Sequence, residues 1–456
     1  MSERTPNRYF SLFLSCALCC GILAVPNPAT ARDLKETVTR AVLTHPDIKA
    51  GRAAHDGLEQ TAKEHFSDFF PAFGAEAGIG AMNVNNDKTR AATGGDASGY
   101  AGEGTLRVTQ MIYDGKNTSN NYRAARERMD AVDFDVKNRV LDIAVTAVRA
   151  HLNVLRAAAL DRLTGDYIAD IGDYEQRIRD LVDAGAADEG ELLQAKEILA
   201  LAKNAQLDYQ EKTELAIAEY LQVAGEWPDS ILEISGEDKQ AATLIPASVD
   251  EALAVLERRH PLLTSIEKNI TALDYELKAQ KGELLPRVDA ELSYFQKEQE
   301  EEFGGEIEDA AAMLRLRWNF AAGGAQKARI EKRRQARQEA AQRARTTERE
   351  VERKLRQSYS RYQVAQQRLA LAAQRKQTNE GILENYRNQF EGGKRTVLQL
   401  LHARNQNYQA DAAHLQAGYG VYLAQYDLLN AMGILSDALG VGAIEAATIA
   451  QQDNTR

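Results

Sequence analysis

HPDIKAGRAAHDGLEQTAKEHFSDFFP at residues 45–71 and HPLLTSIEKNITALDYELKAQKGELLP at 260–286 open on the same His-Pro pair and close on a proline at the same distance. The second stretch lies 215 positions after the first, so the chain contains one architectural unit written twice. Working outward, Tyr220-Leu221-Gln222-Val223-Ala224-Gly225 aligns with Leu428-Leu429-Asn430-Ala431-Met432-Gly433 at an offset of 208. Gly185 falls against Gly393, Leu192-Leu193 against Leu400-Leu401, and Ala195-Lys196 against Ala403-Arg404 at that same offset. A slip of 7 residues therefore falls between Pro71 and Gly185. Halves of roughly 190 residues are a duplicated supersecondary block, not a short solenoid repeat.

Nine prolines and 7% aromatics in 456 residues favour long helices over compact α/β domains. Ala, Glu, Gln, Arg and Leu, which lose little rotamer freedom in a helix, dominate 120–225 and 325–432. A net charge of −11 argues against a nucleic-acid partner. The basic run from Lys327 to Arg345 is interrupted by Glu331 and Glu339 and reads as a solvated helix face.

Arg4 and Arg8, the apolar run from Phe10 to Val25 and Ala29-Thr30-Ala31 predict a secretory signal over residues 1–31. All three cysteines lie within it, at 16, 19 and 20, so the exported chain would carry no thiol. Lipidation is the competing reading, but Cys19 and Cys20 lack a small residue ahead of them, and the apolar run continues past Cys16. No later run approaches ~18 consecutive apolar residues, so no transmembrane helix is expected. Export then leaves a periplasmic, secreted or outer-membrane β-stranded protein.

Four segments alternate with period two. Phe73, Ala75, Ala77, Ile79 and Ala81 share one face of the first; Gly104, Leu106, Val108 and Ile112 share one face of the second, with Gln110 breaking the pattern. Val288, Ala290, Leu292 and Tyr294, then Ala312, Leu314, Leu316, Trp318 and Phe320, repeat it. The stretches 83–101 and 297–310 read as long hairpin loops. Ten-residue alternating segments flanked by aromatics fit transmembrane β-strands; a soluble sheet is the rival, but nothing else supplies its core, and Arg315 and Arg317 suit a wet lumen. Four strands cannot close a conducting barrel, so closure has to be shared among subunits.

After each hairpin, a run of about 65 residues lacks proline and would span on the order of 100 Å as helix. Val136, Val140, Ile143, Ala147, Ala150 and Val154 step by 4 and 3, as do Val351, Leu355, Ser358, Tyr362, Ala365, Leu369 and Ala372. That period predicts left-handed supercoiling against neighbours. The expected class is mainly α with a small membrane β part: a duplicated unit with long coiled-coil α-barrel helices plus four strands per protomer. Its domains are a first repeat at 32–225 (strands 72–82 and 102–112, long helix 116–182, return helix 188–225), a linker at 226–248 and a second repeat at 249–435. The second holds strands 287–296 and 311–320, a long helix 325–390 and a return helix 396–432; residues 436–456 form a tail.

In this order and spacing, the His-Pro starts, Tyr113-Asp114-Gly115, Phe320-Ala321-Ala322-Gly323-Gly324 and the run from Gly393 to Ala403 resemble the TolC-like outer-membrane channel family over nearly the whole mature chain. The resemblance implies a homotrimer with twelve strands in outer-membrane lipid and twelve helices in a periplasmic tunnel. It implies a periplasmic adaptor docking at tips around Asp183, Gly185, Ala186, Gly392, Gly393 and Lys394, and an inner-membrane transporter of ABC or RND type. Where better-known members carry two constriction aspartates, this chain has Gln399 and His402, so a cation-favouring acidic ring is missing. His402 can change charge near neutral pH or serve as a neutral polar lining. Arg395 matches a tip arginine that could hold a closed state through ion pairs, or stand solvated.

The seven histidines make no metal-ligand spacing, no nucleophile elbow or phosphate loop occurs, and Asn83 stands where a dinucleotide fingerprint needs its third glycine. No enzyme and no cofactor are expected. The expected function is a passive outer-membrane exit duct for type I protein secretion, with multidrug or metal efflux as the alternative. A periplasmic coiled-coil adaptor or scaffold is the rival of another class.

Overall fold

The computed structural model describes residues 33–228, 240–299, 305–319 and 323–442. The signal segment, the middle of the linker, Phe320-Ala321-Ala322 and the tail beyond 442 lie outside them.

Two runs of elements follow one another with matching lengths. Helix α1 (Leu34–Thr44) and helix α2 (Pro46–Ser67) lead into strands β1 (Ala72–Val84) and β2 (Ala97–Tyr113), with a short helix α3 (Asp87–Thr93) between them. Then come α4 (Asn117–Asp183) and α5 (Glu189–Ala224). After the short α6 (Gln240–Thr243), α7 (Val249–Arg259), α8 (Pro261–Gly282), β3 (Arg287–Gln299), β4 (Ile307–Arg317), α9 (Ala325–Glu391) and α10 (Val397–Ala431) repeat the order, and α11 (Leu435–Ala438) ends it. Both α2 and α8 have 22 residues and a proline in the first turn; both α4 and α9 have 67. Proline fits there because its missing N–H has no intrahelical partner to lose.

The stretch 83–101, read as a loop, contains α3 and strand residues on both sides. Asn86 and Thr89 form its capping box, each side chain bonding the other's backbone N–H. The strands outrun the alternating residues because ladder pairing continues through Gly99, Gly102 and polar positions that carry no hydrophobic signal.

All four strands pair antiparallel in the order β1-β2-β3-β4. Phe73, Val108, Leu292 and Ala312 make one row across the sheet, and Ala75, Leu106, Tyr294 and Ala310 the next. This apolar face is bare: Phe73 is 78% exposed, Ile79 90% and Leu314 73%. The opposite face holds charges in mutual contact. Arg317 reaches Asp289 at 2.6 Å, Arg287 reaches the same carboxylate at 2.9 Å, and Arg107 and Arg315 converge on Glu291. Gln110, the residue that breaks the alternation, turns its amide onto Phe69 O at 3.1 Å and Met111 O at 2.8 Å.

The helices have no single compact core. Buried residues are strung along seams, with one large cluster midway uniting α1, α4, α7, α9, α10 and α11 and a second toward the far ends of α4, α5 and α10. One 18-residue stretch of α4 is apolar enough on average to pass as a membrane span although it is not apolar throughout; 67% of it is buried against other helices, which makes it wall core.

Candidate functional site

Helices α4 and α9 run the full length, and the gap between them is filled by α8 near the sheet and by α10 farther away. On its other side α4 is covered by α2 and then by α5. At each height, four helices therefore stand side by side as a wall, in the order α9, then α8 or α10, then α4, then α2 or α5. The wall ends on α9, which buries only five residues where its equally long counterpart α4 buries twenty-five.

The seam begun by Val351 and Leu355 continues through Ala372 to Lys376, Asn379, Leu383, Tyr386 and Phe390, each at least half-buried on the α10 side. A second stripe runs beside it with the same stepping: Gln357, Ser360, Val364, Gln367, Leu371, Gln374, Thr378, Gly381 and Asn385. Every member is uncharged and every member is exposed. Two heptad stripes on one helix are what a helix with two neighbours needs. At the wall's other end, α5 buries Leu192, Ala195, Ala202 and Ala216 on α4 and leaves Leu193, Leu201, Leu207 and Leu215 about 60% exposed.

Both tips close by one hydrogen-bond scheme. Ala186 N donates to Leu181 O at 2.7 Å and Gly185 N to Val182 O at 2.9 Å; Lys394 N donates to Gln389 O and Gly393 N to Phe390 O, both at 2.9 Å. Gly185 and Gly393 take φ of 72° and 70°, the left-handed geometry that lets a helix end without a Cβ clash. Asp183, Gly185, Ala186, Gly392, Gly393 and Lys394 are all exposed, so each tip presents open backbone and small residues beside a charged side chain, Asp183 at one and Lys394 at the other.

Of the three expected constriction residues, Arg395 differs most from its sequence reading. Its Nε donates to Gln389 Oε1 at 2.9 Å and its guanidinium lies 4.2 Å from the Tyr386 ring centre, with no carboxylate partner among the described residues. It ties the turn to the end of α9 by hydrogen bond and cation–π contact rather than by an ion pair. Gln399 completes a capping box: its N–H donates to Thr396 Oγ1 and its Oε1 accepts from Thr396 N, both at 3.3 Å. His402 is exposed one turn on. Gln399, His402, Gln406, Gln409, Ala413 and Gln416 share one face of α10, stepping by 3 and 4.

Behind that face, a polar knot joins α10 to α4. Tyr167 and Tyr408 stack with ring centres 4.0 Å apart, Tyr408 Oη meets Thr164 Oγ1 at 2.8 Å, and Tyr167 Oη donates to Asn405 at 2.7 Å. Burial pushes both phenols up, which keeps them neutral hydrogen-bonding groups. Arg404 bridges to Asp170 at 2.7 Å, and Lys376 of α9 to Asp411 at 3.1 Å. Sequence reasoning missed this knot, since its members are isolated polar residues far apart in the chain.

The family profile "Outer membrane efflux protein" matches residues 37–226 and 252–434. The outer membrane efflux protein BepC of Brucella suis is 24% identical over 437 residues, covering 89% of this chain and 92% of that protein. Among solved structures, VceC from Vibrio cholerae is similar at TM-score 0.74 and 18% identity, covering 88% of this chain and 96% of that one. The outer membrane channel CmeC of Campylobacter jejuni is similar at TM-score 0.75 and 15% identity, over 88% and 86% of the two chains.

Proposed function

The chain belongs to the outer membrane efflux protein family, and from that premise we propose that three copies join edge to edge into an exit duct of a tripartite export system. Its family consists of outer-membrane channels extending into the periplasm, not enzymes. The observation that carries the trimer is that both layers are open on the same two sides. β4 leads into α9 and α2 leads into β1, so one side has a free strand continuous with the bare α9, the other a free strand continuous with α2, on the side where α5 exposes its leucines farther from the sheet. Free β-edges in lipid leave backbone donors and acceptors unmet, and pairing β4 with the next copy's β1 satisfies them. The uncharged second stripe of α9 then meets the leucines of α5.

In this arrangement the ion-paired sheet face lines the barrel and the apolar face meets lipid. The tips at Gly185 and Gly393 are where an adaptor would dock, carrying substrate from an inner-membrane transporter. Cross-linking between cysteines placed at Leu371 and Leu207 should trap trimers in the outer-membrane fraction. Recovery of the chain as a detergent-free soluble monomer would sink the duct and favour a periplasmic scaffold.

The cargo we assign is protein, by type I secretion, because Cys19 and Cys20 lack a small residue ahead of them and the apolar run continues past Cys16, a poor context for the lipid anchor that many drug-efflux outer components carry. Efflux of small molecules is the second reading, favoured by the name of the BepC relative. An ABC transporter co-purifying with the chain would support the first, an RND pump the second.

For the tip, removal of the Arg395 clasp by Arg395→Ala, or of the lining by Gln399→Ala or His402→Ala, should raise single-channel conductance in bilayers. No change in any of the three would remove the gate from this position. Gln399→Ala should also weaken the helix start, because the Thr396 N–H loses its side-chain acceptor. Gln399→Glu keeps the capping pattern, so it should shift selectivity toward cations without lowering the melting temperature.

A further inference from the structure

The basic residues of α9 differ in their surroundings, and Arg345, Arg349 and Arg353 in its upper half are exposed without an ion-pair partner among the described residues. Near the sheet, Arg333 pairs with Glu276 at 2.9 Å and Arg337 with Asp274 at 2.9 Å on α8, while Arg343 and Arg356 bridge to Glu339 and Glu352 within the helix. Farther down, Arg361, Arg368 and Arg375 stand 7 residues apart and are exposed, with no ion-pair partner among the described residues. They form one line between the two stripes described above. On the protomer, Arg361 and Arg368 line one side of a groove whose other side is Ala413, Gln416, Gly420 and Leu423 of α10. That α10 face continues in step through Gln409 and Gln406 to His402 and Gln399, so the arginines look the same way as the expected constriction.

Resting on the duct reading, we infer that this line makes the periplasmic tunnel favour anions, and that the cargo it passes is anionic: acidic polypeptide segments or negatively charged small solutes. The chain as a whole carries −11, so the bare basic line is not a reflection of overall composition. Of the carboxylates on the facing helices, those at the upper end of the line stand beside basic groups, while Asp166, Asp173 and Asp180 of α4 are exposed nearer the tip. Asp427, at the upper end of the groove, is bridged to Arg149 at 2.6 Å, and Asp142 of α4 shares its recess with Lys354. In the groove between α4 and α5, Arg156 and Lys212 outnumber Glu219. The lower α10 face contributes only glutamine, alanine and His402.

Three copies turn each arginine into a ring, and rings of Arg or Lys favour anions in a pore as rings of Asp or Glu favour cations. Seven helical residues separate successive rings by about 10 Å. The screening length is ~8 Å at physiological salt, so their fields overlap along the tunnel axis.

Reversal potentials of the purified trimer in planar bilayers under a KCl gradient test the inference. The wild type should prefer chloride, and Arg361→Gln/Arg368→Gln/Arg375→Gln should lower the anion-to-cation permeability ratio roughly threefold or more. Arg368→Glu should lower it further than Arg368→Gln. Cation preference in the wild type, or an unchanged ratio in the triple variant, would overturn it. All three side chains are exposed, and size measurement in detergent reports whether the variant trimer forms; if the triple variant does not assemble, the two single Arg368 variants give the same comparison. Assembled protein that forms no conducting path, even with the Arg395 clasp removed, would sink the duct reading and this inference with it. Conducting but cation-selective channels would sink this inference alone.

Discussion

Gly115→Ala is expected to give a chain that inserts poorly and forms little or no trimer. A Cβ at Gly115 would stand 2.3 Å from Gly282 O, and one at Gly282 would stand 2.6 Å from Gly115 O. The obstructing atoms are backbone on both sides, so no side chain can swing away. This crossing is where the start of α4 meets the end of α8, directly beneath the sheet; Asn117 Nδ2 clasps Ala279 O beside it at 3.0 Å. Gly115 also has φ of 70°. Overpacking and backbone strain together should cost about 3 kcal/mol or more. Gly94→Ala is the matched control, since Gly94 has φ of 79° but nothing within 4 Å of its added Cβ. It should cost only the conformational part, about 1 kcal/mol. Trimer yield and melting temperature compare the two, and equal effects would remove the crossing from this account.

Mild acid should loosen the middle of the helical wall. His151 is buried beneath α1 and α5, with Nδ1 3.0 Å from Thr37 Oγ1, which also meets Tyr220 Oη at 3.2 Å. His260 begins α8 against Gly433, whose added Cβ would lie 2.8 Å from His260 Cα. Burial holds both imidazoles down at about 4; Asp33 partly offsets this at His151, and Lys354 adds to it at His260. The unfolded chain protonates near 6.5, so between that pH and about 4 it binds more protons than the folded chain. Stability contributed by the neutral imidazoles is complete above 6.5 and is lost as pH falls through that window. At pH 5 each histidine should cost roughly 2 kcal/mol relative to neutral pH. Melting of the helical circular dichroism signal at pH 7.5 and 5 reads the effect, and His151→Asn with His260→Asn should flatten it. A wild-type profile already flat over this range would contradict the burial argument.

The features most legible in the sequence are those written as a period. Alternation at 73–81 and 288–294 marks one apolar sheet face, and the 4,3 stepping from Val136 and Val351 marks the seams. Both depend on residues close in the chain. The Gly115–Gly282 crossing depends on two elements far apart in sequence, and no local pattern announces it. Helix α3 is hidden because seven residues carry no apolar period; only its Asn-x-x-Thr cap signals it. Gln399 shows a different difficulty. Thr396-Val397-Leu398-Gln399 is a legible capping signature, yet the resemblance draws attention to the pore and away from the helix start. Arg395, expected to make ion pairs or stand solvated, takes an aromatic ring and an amide instead, because Tyr386 and Gln389 lie on the turns of α9 directly behind it.

The two unpaired strand edges also bear on how the protein comes into being. A lone copy in lipid would leave the outward backbone groups of β1 and β4 unsatisfied along their length, each at a cost of several kcal/mol. In the proposed trimer the last step of folding is then the act of association. For three identical copies the trimer concentration grows with the cube of the free protomer concentration, and apparent stability becomes a function of expression level. Dilution, not only heat or denaturant, should unfold it.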